Sequence, residues 1–402
     1  MKFTNFFLIN LLLLILSCDK DHHKDNKHKE VSNFIGTYAK IVSANYNDTY
    51  RTAVTMQNKI NSFLNSPSQK TLENAKKSWL YARVFYGQTE AYREANGPID
   101  NEDLLGIEGQ INAWPLDEGY IDYVATNSSG TKTIQKGLIG DTSFELTESN
   151  LIAKNEDGKD DNISTGWHAI EFLLWGQDLN YNANSETSDN FATSGNRPFT
   201  DYTSADFASR RKKYLNIITN LLIKDLKDLK DTWAESGSYR TTFENLSEDE
   251  ALTNILNGIG FISNGEVALE RLDPAIDEGQ ENEHSCFSDN TNKDMWANVT
   301  GINNIIIGRY TSKNGVIVSG TSLIDIVKEK NTSAANNLKN KAEDTLVKLH
   351  VLLDLNKSFD EIISNETLGS SGPAGNLSSA LKVQGSAISD AAAALGVHIT
   401  IN

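Results

Sequence analysis

Apolar residues recur at intervals of three, four and seven along most of the chain, which is the spacing of one face of an α-helix. A first helix stops before Pro67, and a second continues from there toward Pro98. The alternation typical of half-buried strands is scarce, and its best example, 316–318, is short. The pattern predicts an all-α protein. The first of these helices is predicted over residues 32–64. Beyond the second, we predict long helices over residues 204–233, 248–272, 333–363 and 377–395.

The two halves of the chain show a weak internal repeat. Glu90 and Pro98 lie near the end of the second long helix of the first half, and Glu266 and Pro274 lie near the end of its counterpart, 176 residues later. Few residues are identical, so coincidence is the alternative. A chain of 402 residues exceeds the roughly 250–300 residues that one core usually serves. We therefore predict two helical bundles related by duplication, over 32–185 and 201–402, with a polar linker over 186–200.

Residues 1–17 predict export of the protein. Lys2 precedes a largely apolar run over 6–16, which is shorter than the roughly 20 residues that span a bilayer and is typical of a signal peptide. The run ends in Leu-Ser-Cys, so Cys18 resembles the lipidated cysteine of a bacterial lipoprotein. An ordinary signal peptide is the alternative. The polar residues 18–31 predict a solvated tether, and the expected location is the cell envelope, with the N-terminal lipid in the membrane.

Composition narrows the classes of partner and site. With 37 Lys and Arg against 54 Asp and Glu, the formal net charge is −17, which argues against a nucleic-acid partner. Two cysteines exclude a disulfide-stapled fold and a cysteine-ligated zinc site. If Cys18 carries lipid, Cys286 is a free thiol. The acidic balance is compatible with cation capture, although solubility explains it equally well.

The segment with the most chemistry is GWHAIEFLLWGQD, residues 166–178. His168 and Glu171 lie three residues apart on one face of a predicted helix, and such a pair can share a metal ion. Ser164 or Thr165 is expected to cap this helix. Because the remaining positions are mostly apolar, the carboxylate is expected to be buried and therefore paired, hydrogen-bonded or bound to a cation. A hydrogen bond between the two side chains, or a bridge to an arginine, is the alternative to a metal site.

This segment resembles the GxHxxE motif of the imelysin-like family. Further blocks are similar to the family in the same order; they are residues 79–90, 97–98, 114–117 and 281–291, with Glu266, Arg271 and Asp294. The resemblance implies two duplicated four-helix bundles with a site near their interface. It also implies an envelope lipoprotein associated with iron uptake. Some relatives are described as peptidases, and others are regarded as metal-binding or iron-transport proteins.

With this resemblance, the first hypothesis is that the protein binds an iron or zinc ion in iron acquisition. His168 and Glu171 would be ligands, Glu90 a third, and Asp289 a fourth from across the interface. The expected partners are a metal ion or a small iron-containing ligand, together with envelope proteins of iron uptake. Other residues that the resemblance assigns to the site are Arg83, Trp114, Glu266, Arg271, Ser285 and Ser288.

A metal-dependent peptidase is the second hypothesis. A catalytic zinc ion takes three protein ligands, an open position and a general base. The motif contains one histidine, and His284, His350 and His398 occur singly, each interpreted as an ordinary histidine. With both motif residues as ligands, the base would be Glu90.

The third hypothesis is a non-catalytic envelope binding module. In it, His168, Glu171, Arg83 and Arg271 form a buried polar network that fixes the interface between the two bundles. Such a network stabilises a protein when every member has its hydrogen-bond partners.

Overall fold

The computed structural model describes residues 19–125, 132–133, 137–178, 194–279 and 282–401. Side chains are described from Lys29 onward, except at positions 125, 132 and 133. The predicted signal peptide 1–17, the lipidation site Cys18, residues 186–193 of the predicted linker, and Glu281 lie outside these ranges. Among the helices that are described, none is both long and apolar enough to span a bilayer.

Helices make up most of the described chain, which confirms the all-α prediction. Between α9 and α10, residues 262–272 continue with the wider turns of a π-helix. The α-helices are α1 (Asp19–Asn65), α2 (Gln69–Thr89), α3 (Glu108–Asn112), α4 (Glu118–Ile121), α5 (Glu148–Ile152), α6 (Gly166–Trp175), α7 (Ala208–Thr232), α8 (Ser238–Glu244), α9 (Glu248–Phe261), α10 (Asp273–Glu278), α11 (Thr291–Ile306), α12 (Leu323–Lys330), α13 (Thr332–Leu353), α14 (Phe359–Ile363) and α15 (Pro373–Leu395).

Two short antiparallel hairpins complete the regular structure that is described. Strand β1 (Val124–Ala125) pairs with β2 (Lys132–Thr133), and β3 (Arg309–Thr311) pairs with β4 (Ile317–Ser319). The second hairpin contains most of the apolar segment 316–318, whose alternation predicted a short strand. Single turns of 3₁₀-helix occur at Glu90–Tyr92, Phe199–Tyr202 and Cys286–Ser288.

The break between the first two long helices follows the prediction. Helix α1 ends at Asn65, and Ser68 begins α2 with a capping box, in which its hydroxyl accepts from the Thr71 amide and its amide donates to the Thr71 hydroxyl. At its other end α1 extends back to Asp19, through the polar segment predicted as a tether. That segment contains no glycine or proline that would interrupt a helix.

Two predicted helix ends were wrong. Helix α2 stops at Thr89, well before Pro98, because the chain tightens into the 3₁₀ turn at Glu90–Tyr92 and then becomes extended at Arg93. The predicted helix 333–363 is divided, since α13 ends at Leu353 and Asn356 adopts a left-handed conformation with φ of 52°.

The apolar helix faces join in one core that includes both halves of the chain. Helix α1 packs against α2, α7 and α9, while α2 also packs against α6 and α11. Helix α15 covers α13 and the π-helical segment 262–272. The region where α2, α6 and α11 meet is therefore enclosed by elements from both halves. Duplication of the two halves stays a prediction.

Candidate functional site

Helix α6 carries the site and is buried along its whole length. The chain enters it through Gly166, whose φ of 82° is accessible to glycine at little steric cost. A Cβ atom at this position would lie 2.3 Å from the carbonyl oxygen of Ile111, at the end of α3. The expected side-chain cap is absent: Thr165 occupies the N-cap position, but its hydroxyl donates to the carbonyl of Gln110, and that of Ser164 donates to Leu151.

His168 and Glu171 are hydrogen-bonded to each other inside the protein. His168 Nδ1 lies 2.9 Å from Glu171 Oε2, and neither side chain is exposed. The other carboxylate oxygen accepts from the Ser288 amide at 3.0 Å and from its hydroxyl at 2.6 Å. Burial raises the pKa of Glu171 to about 8 although the bonds from Ser288 oppose this shift. His168 Nε2 is buried and has no hydrogen-bond partner among the described residues.

A second histidine, His284, lies against the first. The ring centroids of His168 and His284 are 4.8 Å apart, with 75° between the ring planes. His284 Nδ1 is 2.9 Å from Asp294 Oδ2, and its Nε2 is likewise buried without a described partner. Burial and the charge of Arg271 lower the pKa of His284 to about 4, so the ring is neutral near pH 7. The sequence did not single out this residue because it lies in a loop without helical periodicity.

Asp294 anchors the second histidine. Besides His284, its carboxylate accepts from Arg83 at 3.0 Å, from the Ser285 hydroxyl at 2.6 Å and from the Asn290 amide at 3.0 Å. Burial opposes ionisation of Asp294, but Arg83 and His284 outweigh it and hold the pKa below its usual range. An ionised carboxylate only accepts hydrogen bonds. His284 Nδ1 therefore carries the proton, which leaves a lone pair on Nε2.

Arg83 connects α2 with α11 at the base of the site. Its guanidinium pairs with Asp294 and donates to the side-chain oxygen of Asn112. It also lies over the rings of Trp79, Tyr86 and Trp167 at 5.2 to 5.7 Å from the centroids. These contacts allow a charge to remain buried in an aromatic environment.

Glu90, predicted as a metal ligand, belongs to a neighbouring group of ion pairs. Its carboxylate contacts Arg271 and, at 3.3 Å, Arg93. Arg271 also binds Glu266 at 2.7 Å, and Arg93 contacts Glu108 at 3.3 Å. Burial opposes ionisation of Glu90, but the two guanidinium groups keep its pKa below the ordinary value.

Asp289, the fourth predicted ligand, has carboxylates as its electrostatic neighbours. Burial and the charges of Asp178 and Asp360 raise its pKa to about 8. In the described part of the chain, no group of three or more His, Cys, Asp or Glu side chains is arranged to hold a metal ion. The structure thus brings His168 and Glu171 together and places Glu90 and Asp289 in other contacts.

The serines of the loop act as hydrogen-bond donors to the two carboxylates. Ser285 donates to Asp294 and Ser288 donates to Glu171. Each serine therefore orients a carboxylate that is hydrogen-bonded to one of the two histidines. Cys286 between them is buried and forms no disulfide. Ser288 contributes its backbone N–H as well as its hydroxyl, a contact that sequence patterns do not reveal.

Trp114 packs against both histidines and lines a cavity that reaches His284. Its ring centroid lies 4.8 Å from that of His168 and 6.5 Å from that of His284. A cavity of about 370 Å³ reaches Trp114 and His284 from the side of the Glu90 ion pairs. Its charged lining residues are Arg93, Glu108, Glu156, Glu266, Glu270 and Arg271.

Comparison with known proteins identifies relatives. The model of the family described as Imelysin matches residues 42–370. Iron-regulated protein A of Synechococcus elongatus is 24% identical over 285 residues, and the match covers 68% of this chain. This chain spans 63% of the length of that curated relative.

Solved structures share the fold. One is a protein from Parabacteroides distasonis that is provisionally described as an iron-regulated protein A precursor. It superposes with a TM-score of 0.68 and 18% identity, over 91% of this chain and 95% of that one. An imelysin-like protein from Psychrobacter arcticum gives a TM-score of 0.59 and 12% identity, over 92% of this chain and 96% of that one.

Proposed function

The chain belongs to the imelysin family, and from this premise we propose that it is a lipid-anchored envelope protein that binds a metal ion, iron or zinc, through His168 during iron acquisition. The link to iron comes from the name of the relative in S. elongatus, iron-regulated protein A. Membership of the imelysin family leads us to expect a bound metal ion.

One observation carries the proposal: His168 Nε2 is buried and lacks a described partner, while Nδ1 is bound to a carboxylate. A buried imidazole nitrogen without a hydrogen bond costs about 1–3 kcal/mol. Histidines that bind metals almost always donate the proton of their other nitrogen to a carboxylate, a carbonyl or water. The pair His168–Glu171 has this arrangement when Glu171 is ionised, and a cation at Nε2 would favour the ionised carboxylate over the protonated form that burial favours, so the residues fit a metal ion at Nε2. A bound iron or zinc ion would act there as a Lewis acid.

Metal analysis of protein purified without a histidine tag tests this proposal. We expect close to one iron or zinc ion per wild-type chain and a strong loss in His168→Ala. His350→Ala is the matched control, because His350 is exposed on α13. Equal metal content in the wild type and His168→Ala, after dialysis against a weak chelator, would contradict metal binding at this residue.

The membrane anchor is tested separately. In cells that process lipoproteins, wild-type protein should incorporate labelled fatty acid and sediment with membranes. Cys18→Ser should abolish both, because it removes the thiol that carries the lipid. Membrane association that persists in Cys18→Ser without label would indicate an anchor of another kind.

A further inference from the structure

We propose that His284 is the second protein ligand of this ion, that both imidazoles bind it through Nε2, and that Glu171 and Asp294 are positioning residues that orient the rings. The inference rests on the proposed metal binding at His168. It changes the role of Glu171 from the ligand that the GxHxxE spacing predicted to a residue that acts through His168.

The two histidines are held in matching ways. Each Nδ1 lies 2.9 Å from a buried carboxylate oxygen, that of Glu171 for His168 and that of Asp294 for His284. Each carboxylate is fixed in turn by a serine from one loop. Since the carboxylates engage Nδ1, only Nε2 of each ring is left to bind a ligand, and both Nε2 atoms lack a described partner.

The spacing of the rings suits one shared ion. Nitrogen–zinc bonds measure roughly 2.0–2.1 Å, so two Nε2 atoms bound to one ion are at most about 4 Å apart. The ring centroids are 4.8 Å apart and the planes are inclined by 75°, so the separation of the two rings is one that two imidazoles bound to the same ion can have. Each buried Nε2 without a hydrogen bond carries its own desolvation penalty, so two of them favour a bound ion more strongly than one would.

The lone pair on His284 follows from the hydrogen bonds around Asp294. Arg83, Ser285 and Asn290 all donate to this carboxylate, and Arg83 compensates its charge. The carboxylate therefore acts as an acceptor toward His284 as well, and the ring proton lies on Nδ1. Its Nε2 is left as an acceptor, which is the form that binds a cation.

Oxygen ligands are expected to fill the remaining positions of the ion. No third His, Cys, Asp or Glu joins the pair to form a metal-holding group in the described ranges. The cavity of about 370 Å³ reaches His284, and two of its lining residues carry buried donors without a described partner, Trp114 Nε1 and Asn112 Nδ2. Such donors suit water or a carboxylate bound to the ion. The four glutamates of the lining against two arginines favour entry of a cation.

Zinc binding by the mature chain and its variants tests this assignment. Isothermal titration with zinc should show that His284→Ala and His168→Ala each weaken binding by more than about 100-fold, whereas Glu171→Gln weakens it by about 10–100-fold. His350→Ala should bind like the wild type. X-ray absorption of zinc-loaded wild type should show two imidazole ligands with oxygen in the other positions, and this measurement needs no variant to fold.

The outcomes separate the two proposals. If wild type takes up no zinc or iron, metal binding itself fails. If His284→Ala binds as tightly as wild type while His168→Ala does not, metal binding stands and the role of His284 is wrong. A loss in Glu171→Gln as large as in His168→Ala, with one imidazole in the absorption spectrum, would return Glu171 to the position of ligand. Thermal unfolding of each variant shows whether a loss of binding comes from a loss of fold.

Discussion

At the scale of the residue, Asp294 holds the site together. Its carboxylate accepts hydrogen bonds from the four side chains of Arg83, His284, Ser285 and Asn290. Arg83 depends on it most, because its guanidinium is 1% exposed and Asp294 is the carboxylate with which it pairs. Asp294 and its four donors therefore stabilise the fold, and they also hold His284 in place for any ligand that it binds.

Asp294→Asn should lower the free energy of unfolding by about 3–5 kcal/mol, since the substitution leaves the Arg83 charge buried without its counter-charge. Chemical denaturation followed by circular dichroism measures the change. Asp231→Asn is the control: Asp231 is 45% exposed and paired with Lys227, so its loss should be below about 1 kcal/mol. Equal losses in the two variants would mean that burial of this ion pair is unimportant for stability.

Glu108 gives the stability a pH dependence of its own. Burial raises its pKa from 4.5 to about 7, although Arg93 opposes this shift. The folded protein therefore binds more protons than the unfolded chain between about pH 4.5 and 7, and the contribution of Glu108 to stability falls as pH rises through this window. Glu266 has the opposite shift, to about 2, so its stabilising contribution is lost only in stronger acid.

Glu108→Gln should consequently gain stability relative to wild type as pH rises from 5 to 8, by about 1–3 kcal/mol. The side chain is 19% exposed, which favours the lower end of this range. Unfolding curves of both proteins at pH 5, 6.5 and 8 test the prediction, and other titrating groups cancel because the two proteins share them. A difference that stays constant with pH would contradict the raised pKa.

At the scale of the element, the entry into α6 depends on one glycine. Gly166 combines φ of 82° with a close approach to the Ile111 carbonyl. Gly158 has nearly the same φ, 84°, but nothing lies within 4 Å of where its Cβ would be. The two positions therefore separate backbone strain from crowding.

Gly158→Ala should cost about 1–2 kcal/mol, the usual penalty for a left-handed non-glycine residue. Gly166→Ala should cost at least about 3 kcal/mol, because α3 or α6 must also move. Urea unfolding of both variants measures the difference. Similar losses at the two sites would show that the contact with Ile111 relaxes easily, and α6 would then be less firmly placed than the structure indicates.

Local signals explain which elements were predictable. Proline at 67 and the apolar periodicity around it placed the break between α1 and α2, and the apolar surroundings of His168 predicted the burial of α6. The end of α13 was not predicted, because a left-handed Asn356 leaves no periodic signal. His284 was missed for a related reason: it lies in a loop, and its proximity to His168 results from tertiary packing.

At the scale of the whole molecule, buried polar contacts join the two halves. Arg83 of α2 pairs with Asp294 of α11, and Glu90 pairs with Arg271. Helices α2 and α11 approach closely at glycines: a Cβ at Gly301 would lie 2.3 Å from the Gln88 carbonyl oxygen. The third hypothesis, a non-catalytic module whose buried network fixes the interface, stays a prediction; of its four residues, Arg83 and Arg271 make these contacts between the halves. These residues thus have a structural role, to which the proposed metal binding would add a second.

The intact chain should therefore unfold as one cooperative unit, although two separate bundles were predicted for 32–185 and 201–402. Scanning calorimetry of residues 19–402 should give one transition with equal calorimetric and van't Hoff enthalpies. Residues 32–185 alone should show no cooperative transition, because α1 and α2 lose the cover of α7, α9 and α11. An equimolar mixture with residues 194–402 is the control, and it should recover helicity. A fragment 32–185 that melts cooperatively by itself would show that the first bundle is an independent domain, and that the buried pairs across the interface join two bodies that are already folded.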